Sequence, residues 1–200
     1  MSHDHWQQVY SSKKADEVSW YQRNPEVSCR LIKNYASLTD AVIDVGAGQS
    51  FLVDSLLADG LTDVTVMDIS EAAVSEVRQR LEEEPSVSYV VADVRNWNST
   101  KKFDVWHDRA VFHFMTTDHE KAAYLRVVAQ AVRPGGVAII GTFAEDGPTQ
   151  CSGLDVNRYS STQLTNQFEE FFELVETESE EHLTPWGAMQ HFTWVSLRRK

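Results

Sequence analysis

A five-residue run ending in a glycine-rich break constrains this chain more than any other feature. Ala41-Val42-Ile43-Asp44-Val45 is β-branched and too short for a helix, so it reads as a buried strand, and Gly46-Ala47-Gly48 terminates it. A helix over about 50–59 follows, with Leu52, Val53, Leu56 and Leu57 as its stripe and Gly60 as its stop. The pattern then repeats. Strands are expected at 64–67, 87–92, 103–108 and 137–143. Ser70 caps a helix carrying Val74, Val77 and Leu81, and Thr117-Asp118-His119-Glu120 is a capping box that opens another. A shorter helix is expected at 161–168. Strand–helix alternation implies a parallel sheet covered on both faces. The last two extended segments, 174–180 and 190–197, are joined through Thr184-Pro185-Trp186-Gly187, too short a link for a parallel crossover, so they pair antiparallel. The expected class is α/β, a doubly wound seven-stranded mixed sheet with an antiparallel C-terminal hairpin. Residues 1–38 form an N-terminal helical cap, where Asn24-Pro25-Glu26 starts a helix bearing Val27, Leu31, Ile32 and Tyr35. Residues 39–200 form the core, and the whole of 1–200 makes one domain, as the length of 200 residues suggests.

The glycine turn lies at the carboxyl end of the first strand, where open α/β sheets bind ligands. Glycine there takes positive φ and lets a ligand approach the backbone. Asp68 ends the second strand twenty residues after Gly48, the spacing at which a carboxylate accepts hydrogen bonds from ribose hydroxyls. Two ligands fit. A dinucleotide needs a third glycine, and that position holds Phe51, which crowds the close helix–strand packing that site requires. S-adenosylmethionine has no pyrophosphate and needs no third glycine. Asp44, one residue before the strand's last, can reach a methionyl ammonium and would repel a pyrophosphate.

Asp44-Val45-Gly46-Ala47-Gly48, Asp68-Ile69-Ser70, Ala92-Asp93-Val94 and Arg133-Pro134-Gly135-Gly136 resemble, in order and spacing, four landmarks of the class I S-adenosylmethionine-dependent methyltransferases. The resemblance covers residues 40–143 and implies the Rossmann-like fold of that family. It also implies that Asp68 holds the ribose, Asp93 the adenine amino group, and Asp44 with Gly46, Ala47 and Gly48 the methionine end, while Ile69 and Val94 sandwich the adenine. The flanks resemble a narrower group of small methyltransferases. The marks are Val9-Tyr10 with Glu17-Val18-Ser19-Trp20-Tyr21-Gln22, Trp106 through Phe114, and Glu181-His182-Leu183-Thr184-Pro185-Trp186-Gly187 with Gln190 and Phe192. More distantly, that group resembles protein-lysine methyltransferases.

Methyl transfer from a sulfonium is an in-line displacement by an already activated donor, so the protein mainly aligns the reactants in a dry site. Asp108 and Arg109, ending the fourth strand, are expected beside the donor. His113, with Asp108, is the candidate acid–base pair, since histidine titrates near neutral pH; the alternative is a core histidine. Tyr10 and Trp20 in the cap are expected to close over the donor, because aromatic faces attract a sulfonium, or else simply to pack on the domain. The seven histidines make no trusted metal spacing, and Cys29 and Cys151 make no disulfide framework, so no metal and a reducing, cytoplasmic setting are expected. A net charge of −12 argues against nucleic acid and anionic membrane as partners. No signal-like or membrane-length apolar run is seen. The acceptor is expected to be a small molecule, with a protein side chain as the alternative, acted on by a monomer or homodimer and leaving S-adenosylhomocysteine. A nucleotide-binding oxidoreductase is the remaining reading.

Overall fold

The computed structural model describes residues 2–200. Its main sheet has seven strands in the order β3-β2-β1-β4-β5-β9-β8. These are β1 (Val42–Val45), β2 (Val64–Asp68), β3 (Val87–Val91), β4 (Phe103–Arg109), β5 (Val132–Phe143), β8 (Phe172–Leu183) and β9 (Met189–Arg199). The first five are parallel, and β9 runs antiparallel to both β5 and β8. A small separate hairpin, β6 (Gln150–Cys151) with β7 (Leu154–Asp155), sits in the loop after β5.

Central strands buried on both faces read as unbroken apolar runs. All four residues of β1 and all five of β2 are buried accordingly. Six α-helices occur among the described residues: α1 (His3–Ser12), α2 (Glu26–Tyr35), α3 (Leu52–Ala58), α4 (Glu71–Arg80), α5 (Asp118–Ala131) and α6 (Ser161–Phe168). Helix α2 packs on β4 and β5, α4 on β2 and β3, α5 on β5, and α6 on β8 and β9. The caps follow the local chemistry. Ser70 Oγ accepts from the Ala73 N–H, and Thr117 with Glu120 forms a full capping box. Ser160 and Gln163 form another at α6.

Three local expectations change. Pro25 rather than Asn24 stands at the N-cap of α2; the Glu26 N–H is taken by the Asn24 carbonyl, so no side chain caps it. The strand β5 begins at Val132, not Val137, and takes Arg133-Pro134-Gly135-Gly136 into its start because Phe103 pairs with Val132. The loop after β5 contains the β6–β7 hairpin. In the cap, Trp6, Val9 and Tyr10 of α1 join the main core, and Gln7 accepts from Ser70 Oγ and the Ala72 N–H at the start of α4. The cap is therefore packed into the domain on one side and roofs the strand ends on the other.

Candidate functional site

The order of strands reverses between β1 and β4, and loops leaving their carboxyl ends diverge there into a crevice. Two cavities occupy it. The first is lined by Met67, Asp68, Ile69 and Val94 from the β2 and β3 side, by Val111, Phe114 and Cys151, and by Trp6 of the cap. The second is lined by Asp44, Ala47, Gln49, Ser28, His107 and Tyr21. Tyr10, Trp20, Gly46 and Arg109 line both, so the two are compartments of one crevice pinched at those four residues.

Backbone geometry builds the turn between them. Gly46 and Gly48 have φ of +66° and +53°, in the left-handed region. A Cβ on Gly46 would strike Val111 Cγ2, and one on Gly48 would strike the Tyr10 hydroxyl, so cap and β4 loop both press directly on bare backbone. The Gly48 N–H donates to Asp68 Oδ2 at 2.9 Å and the Ser70 N–H to Oδ1 at 2.8 Å, which fixes the plane of that carboxylate in the first cavity. Burial pushes the Asp68 carboxyl up to about 6, against those two N–H donors. Asp44, 4% exposed, faces the second cavity.

Arg109 is the unusual group. Its guanidinium donates to the Trp20 carbonyl at 3.1 Å, lies 4.4 Å from the Phe192 ring centroid and stands 3.8 Å from Glu180. Its Nε and one Nη are buried without a hydrogen-bond partner. Burial lowers its pKa, with Glu180 opposing that shift. Orphaned donors on a buried cation call for an anionic ligand. Trp6, Tyr10, Trp20 and Phe114 form a ring cluster over the same space, with Trp6 to Phe114 centroids 5.3 Å apart.

The crevice therefore brings together Asp44, Gly46, Ala47, Asp68, Ile69, Val94, Arg109, Tyr10 and Trp20, and leaves out four expected residues. Gly48 lies beneath Tyr10. Asp93 lines neither cavity: its carboxylate binds the Arg95 guanidinium and the Arg95 N–H, and although burial opposes it, that pairing holds the acid below its usual range. Asp108 is fully buried and accepts from the Val111 and Phe112 N–H groups and from the Tyr124 hydroxyl. Burial pushes its carboxyl up to about 6, and it anchors the turn after β4 and lines neither cavity.

His113 is corrected in the same way. Its ring is fully buried between Phe114 and Phe143, at 4.5 and 4.8 Å between centroids, and neither nitrogen has a partner. Burial, then Arg109, pushes its pKa down to about 3, so it is a neutral core side chain and not a base. A His113→Leu variant is expected to keep kcat within about threefold of wild type, measured by methyl transfer to the true acceptor, because the substitution keeps the volume and loses only unpaired nitrogens.

Sequence reasoning missed Ser28 and His107 as crevice residues, while Cys151 lies in the loop after the fifth strand, where loops often shape acceptor sites. The Cys151 thiol is pushed up to about 12 by burial, with Arg109 opposing, so it lines the site as a neutral group. No group of three or more metal-type ligands occurs among the described residues, and no helix there is long and apolar enough to cross a membrane.

Residues 42–136 match the family model of a methyltransferase domain. The chain is 27% identical over 150 residues to the zebrafish (Danio rerio) eEF1A lysine and N-terminal methyltransferase, a match covering 72% of this chain and 22% of that protein. It thus spans about a fifth of the length of the curated relatives of that kind. Its fold is similar to a structure reported for the conversion of a disulfide bond into a thioacetal group during echinomycin biosynthesis, with TM-score 0.80, 20% identity and coverage of 99% and 92% of the two chains. It is also similar to the Burkholderia thailandensis 1,6-didemethyltoxoflavin-N1-methyltransferase bound to its namesake and S-adenosylhomocysteine, with TM-score 0.70, 20% identity and coverage of 100% and 84%.

Proposed function

We propose a reaction for what is, over residues 42–136, a methyltransferase domain of the class I S-adenosylmethionine-dependent kind: methylation of a small-molecule acceptor. The observation that carries it is the sign and spacing of three buried groups along one crevice, Asp68 and Asp44 at neighbouring strand ends and the partly satisfied guanidinium of Arg109 between the cavities. They complement the ribose hydroxyls, the ammonium and the carboxylate of the donor in turn, and Ile69, Met67 and Val94 offer an apolar slot to its adenine. When bound, S-adenosylmethionine supplies an activated methyl group.

The chain's part is to hold and exclude. Asp68 is held in plane by the Gly48 and Ser70 N–H groups, ready to accept from two vicinal hydroxyls. Arg109, tethered by the Trp20 carbonyl and beside Glu180, lines both cavities and keeps one buried Nη without a partner, a donor available to a carboxylate. The Trp6, Tyr10, Trp20 and Phe114 rings keep water out, and their faces favour a sulfonium. In the first cavity the Cys151 thiol and the Tyr10 hydroxyl are both held protonated by burial, so neither serves as a base. An acceptor arriving with a free lone pair suits such a site, and catalysis here is mainly orientation.

Acceptor size is argued from the roof. The crevice lies under the cap, whose Trp6, Tyr10 and Trp20 line it, and a covered crevice suits a small ligand better than a folded protein surface. A protein lysine is the second reading, favoured by the likeness to the eEF1A lysine and N-terminal methyltransferase. Thermal denaturation tests the donor: S-adenosylhomocysteine at a hundred times its Kd is expected to stabilise the fold by about 2.7 kcal/mol, and NAD to leave it unmoved. Stabilisation by NAD instead would overturn the assignment. Incubating a cell extract with donor labelled on its methyl group then separates the acceptors: label in the low-molecular-weight fraction supports the first reading, label in a protein band the second.

A further inference from the structure

We propose that His107 is a positioning residue that aims Asp44 at the ammonium end of the donor, an inference that rests on the donor reading above. Asp44 and His107 stand directly opposite one another in the parallel register of β1 and β4. The imidazole Nδ1 lies 2.7 Å from Asp44 Oδ1, and Nε2 lies 2.9 Å from Ser28 Oγ on α2. A carboxylate only accepts, so Nδ1 carries a proton and donates to Asp44, while Nε2 is paired with the Ser28 hydroxyl.

Sequence, packing and site connect through this chain of three. The ring is 2% exposed and lies 5.8 Å from Trp194 at an interplanar angle of 30°, so it has little room to turn. Ser28, also 2% exposed, fixes its far nitrogen. One oxygen of Asp44 is thereby held, and the other has no hydrogen-bond partner among the described residues. A carboxylate this deeply buried is costly unless hydrogen-bonded. One donor from His107 meets part of that need and sets the carboxylate plane, and an incoming ammonium meets the rest. Preorganisation of this kind is what separates a site from a mere set of correct residue types.

Calorimetric titration with two ligands tests the idea. S-adenosylhomocysteine carries the amino-acid end; 5′-methylthioadenosine keeps the adenosine and the sulfur but lacks that end. His107→Leu is expected to weaken S-adenosylhomocysteine roughly tenfold, about the loss of one hydrogen bond to a charged group, and to leave 5′-methylthioadenosine within about twofold. In turnover the same variant raises the donor KM and leaves kcat nearly unchanged. His107→Asn, whose amide nitrogen falls near the place of Nδ1, recovers most of the loss. Ser28→Ala gives a smaller loss of the same selective kind, and it carries the test together with His107→Asn should the leucine variant not fold. An unchanged S-adenosylhomocysteine affinity, or equal losses for both ligands, overturns the proposal and leaves the ring a packing group. Failure of the wild-type protein to bind either ligand overturns the donor reading itself.

Discussion

Asp68→Ala is expected to weaken S-adenosylhomocysteine binding by about two to four orders of magnitude while the protein remains folded. The carboxylate would accept from two ribose hydroxyls, and a hydrogen bond to a charged group contributes about 1.5–3 kcal/mol, so two give about 3–6 kcal/mol. The substitution also strips the Gly48 and Ser70 N–H groups of their acceptor, which destabilises the turn, but it relieves the burial that pushes this acid up to about 6. The raised pKa ties affinity to pH. The ionised form is the one that accepts both hydroxyls, so affinity should climb as pH rises through about 6 and flatten above it.

Apo stability responds with the opposite sign. A folded pKa above the ordinary carboxylate value of 3.8 means that this group's contribution is fully present below that value and is lost as pH rises through about 6. Asp108, also pushed up to about 6, adds to the stability trend but not to the affinity trend, since it lines no cavity. Titrations between about pH 5 and pH 8 on wild type and Asp68→Asn check both: the asparagine variant should bind weakly at every pH with a flat profile. A variant that binds as wild type, or keeps the slope, removes Asp68 from the site.

Gly46→Ala should cost both the fold and the ligand. At φ of +66° an alanine is strained by roughly 1–2 kcal/mol, and its Cβ collides with Val111 Cγ2, adding the 1–3 kcal/mol typical of overpacking. A total of about 2–5 kcal/mol corresponds to a fall in Tm of roughly 5–15 °C for a chain of this length. The added methyl also stands at the waist shared by the two cavities, so donor binding should fall below detection in calorimetry. The two causes separate in the double variant with Val111→Ala, which removes the obstructing methyl but not the strain. Tm should then recover partly. Full recovery would mean that the backbone there carries no strain, and no recovery that the clash is relieved elsewhere.

Much of this architecture was legible because doubly wound sheets write themselves plainly. Buried strands such as Val64–Asp68 run apolar up to the acid that ends them, broken only by a β-branched Thr65, and the caps at Ser70 and Thr117 are spelled out in side chains. The helix α1 was harder to place, since HDHWQQVYSS is mostly polar and only Trp6, Val9 and Tyr10 are buried. The β6–β7 hairpin is two residues a side, below what periodicity can resolve. The site residues divide the same way. Asp44 and Asp68 follow from strand ends, but Asp108 looked identical in sequence. What removes it is two N–H groups in the next turn and the Tyr124 hydroxyl sixteen residues on. His113 drew attention because it is a histidine in an aromatic stretch, whereas His107 was read only as part of the Trp106-to-Phe114 mark and given no role. Its significance depends on β4 lying beside β1, a fact of topology that no local window contains.

The four-residue strand β1 has neighbours on both sides and no exposed face. Segments so placed part from their neighbours only when the whole domain does, whereas termini and loop tips fray at little cost. Asp44 and its histidine therefore belong to the last region to come undone on heating. The grip on the amino-acid end of the donor should outlast the aromatic roof, and warming should loosen the entrance long before it blunts the hold within.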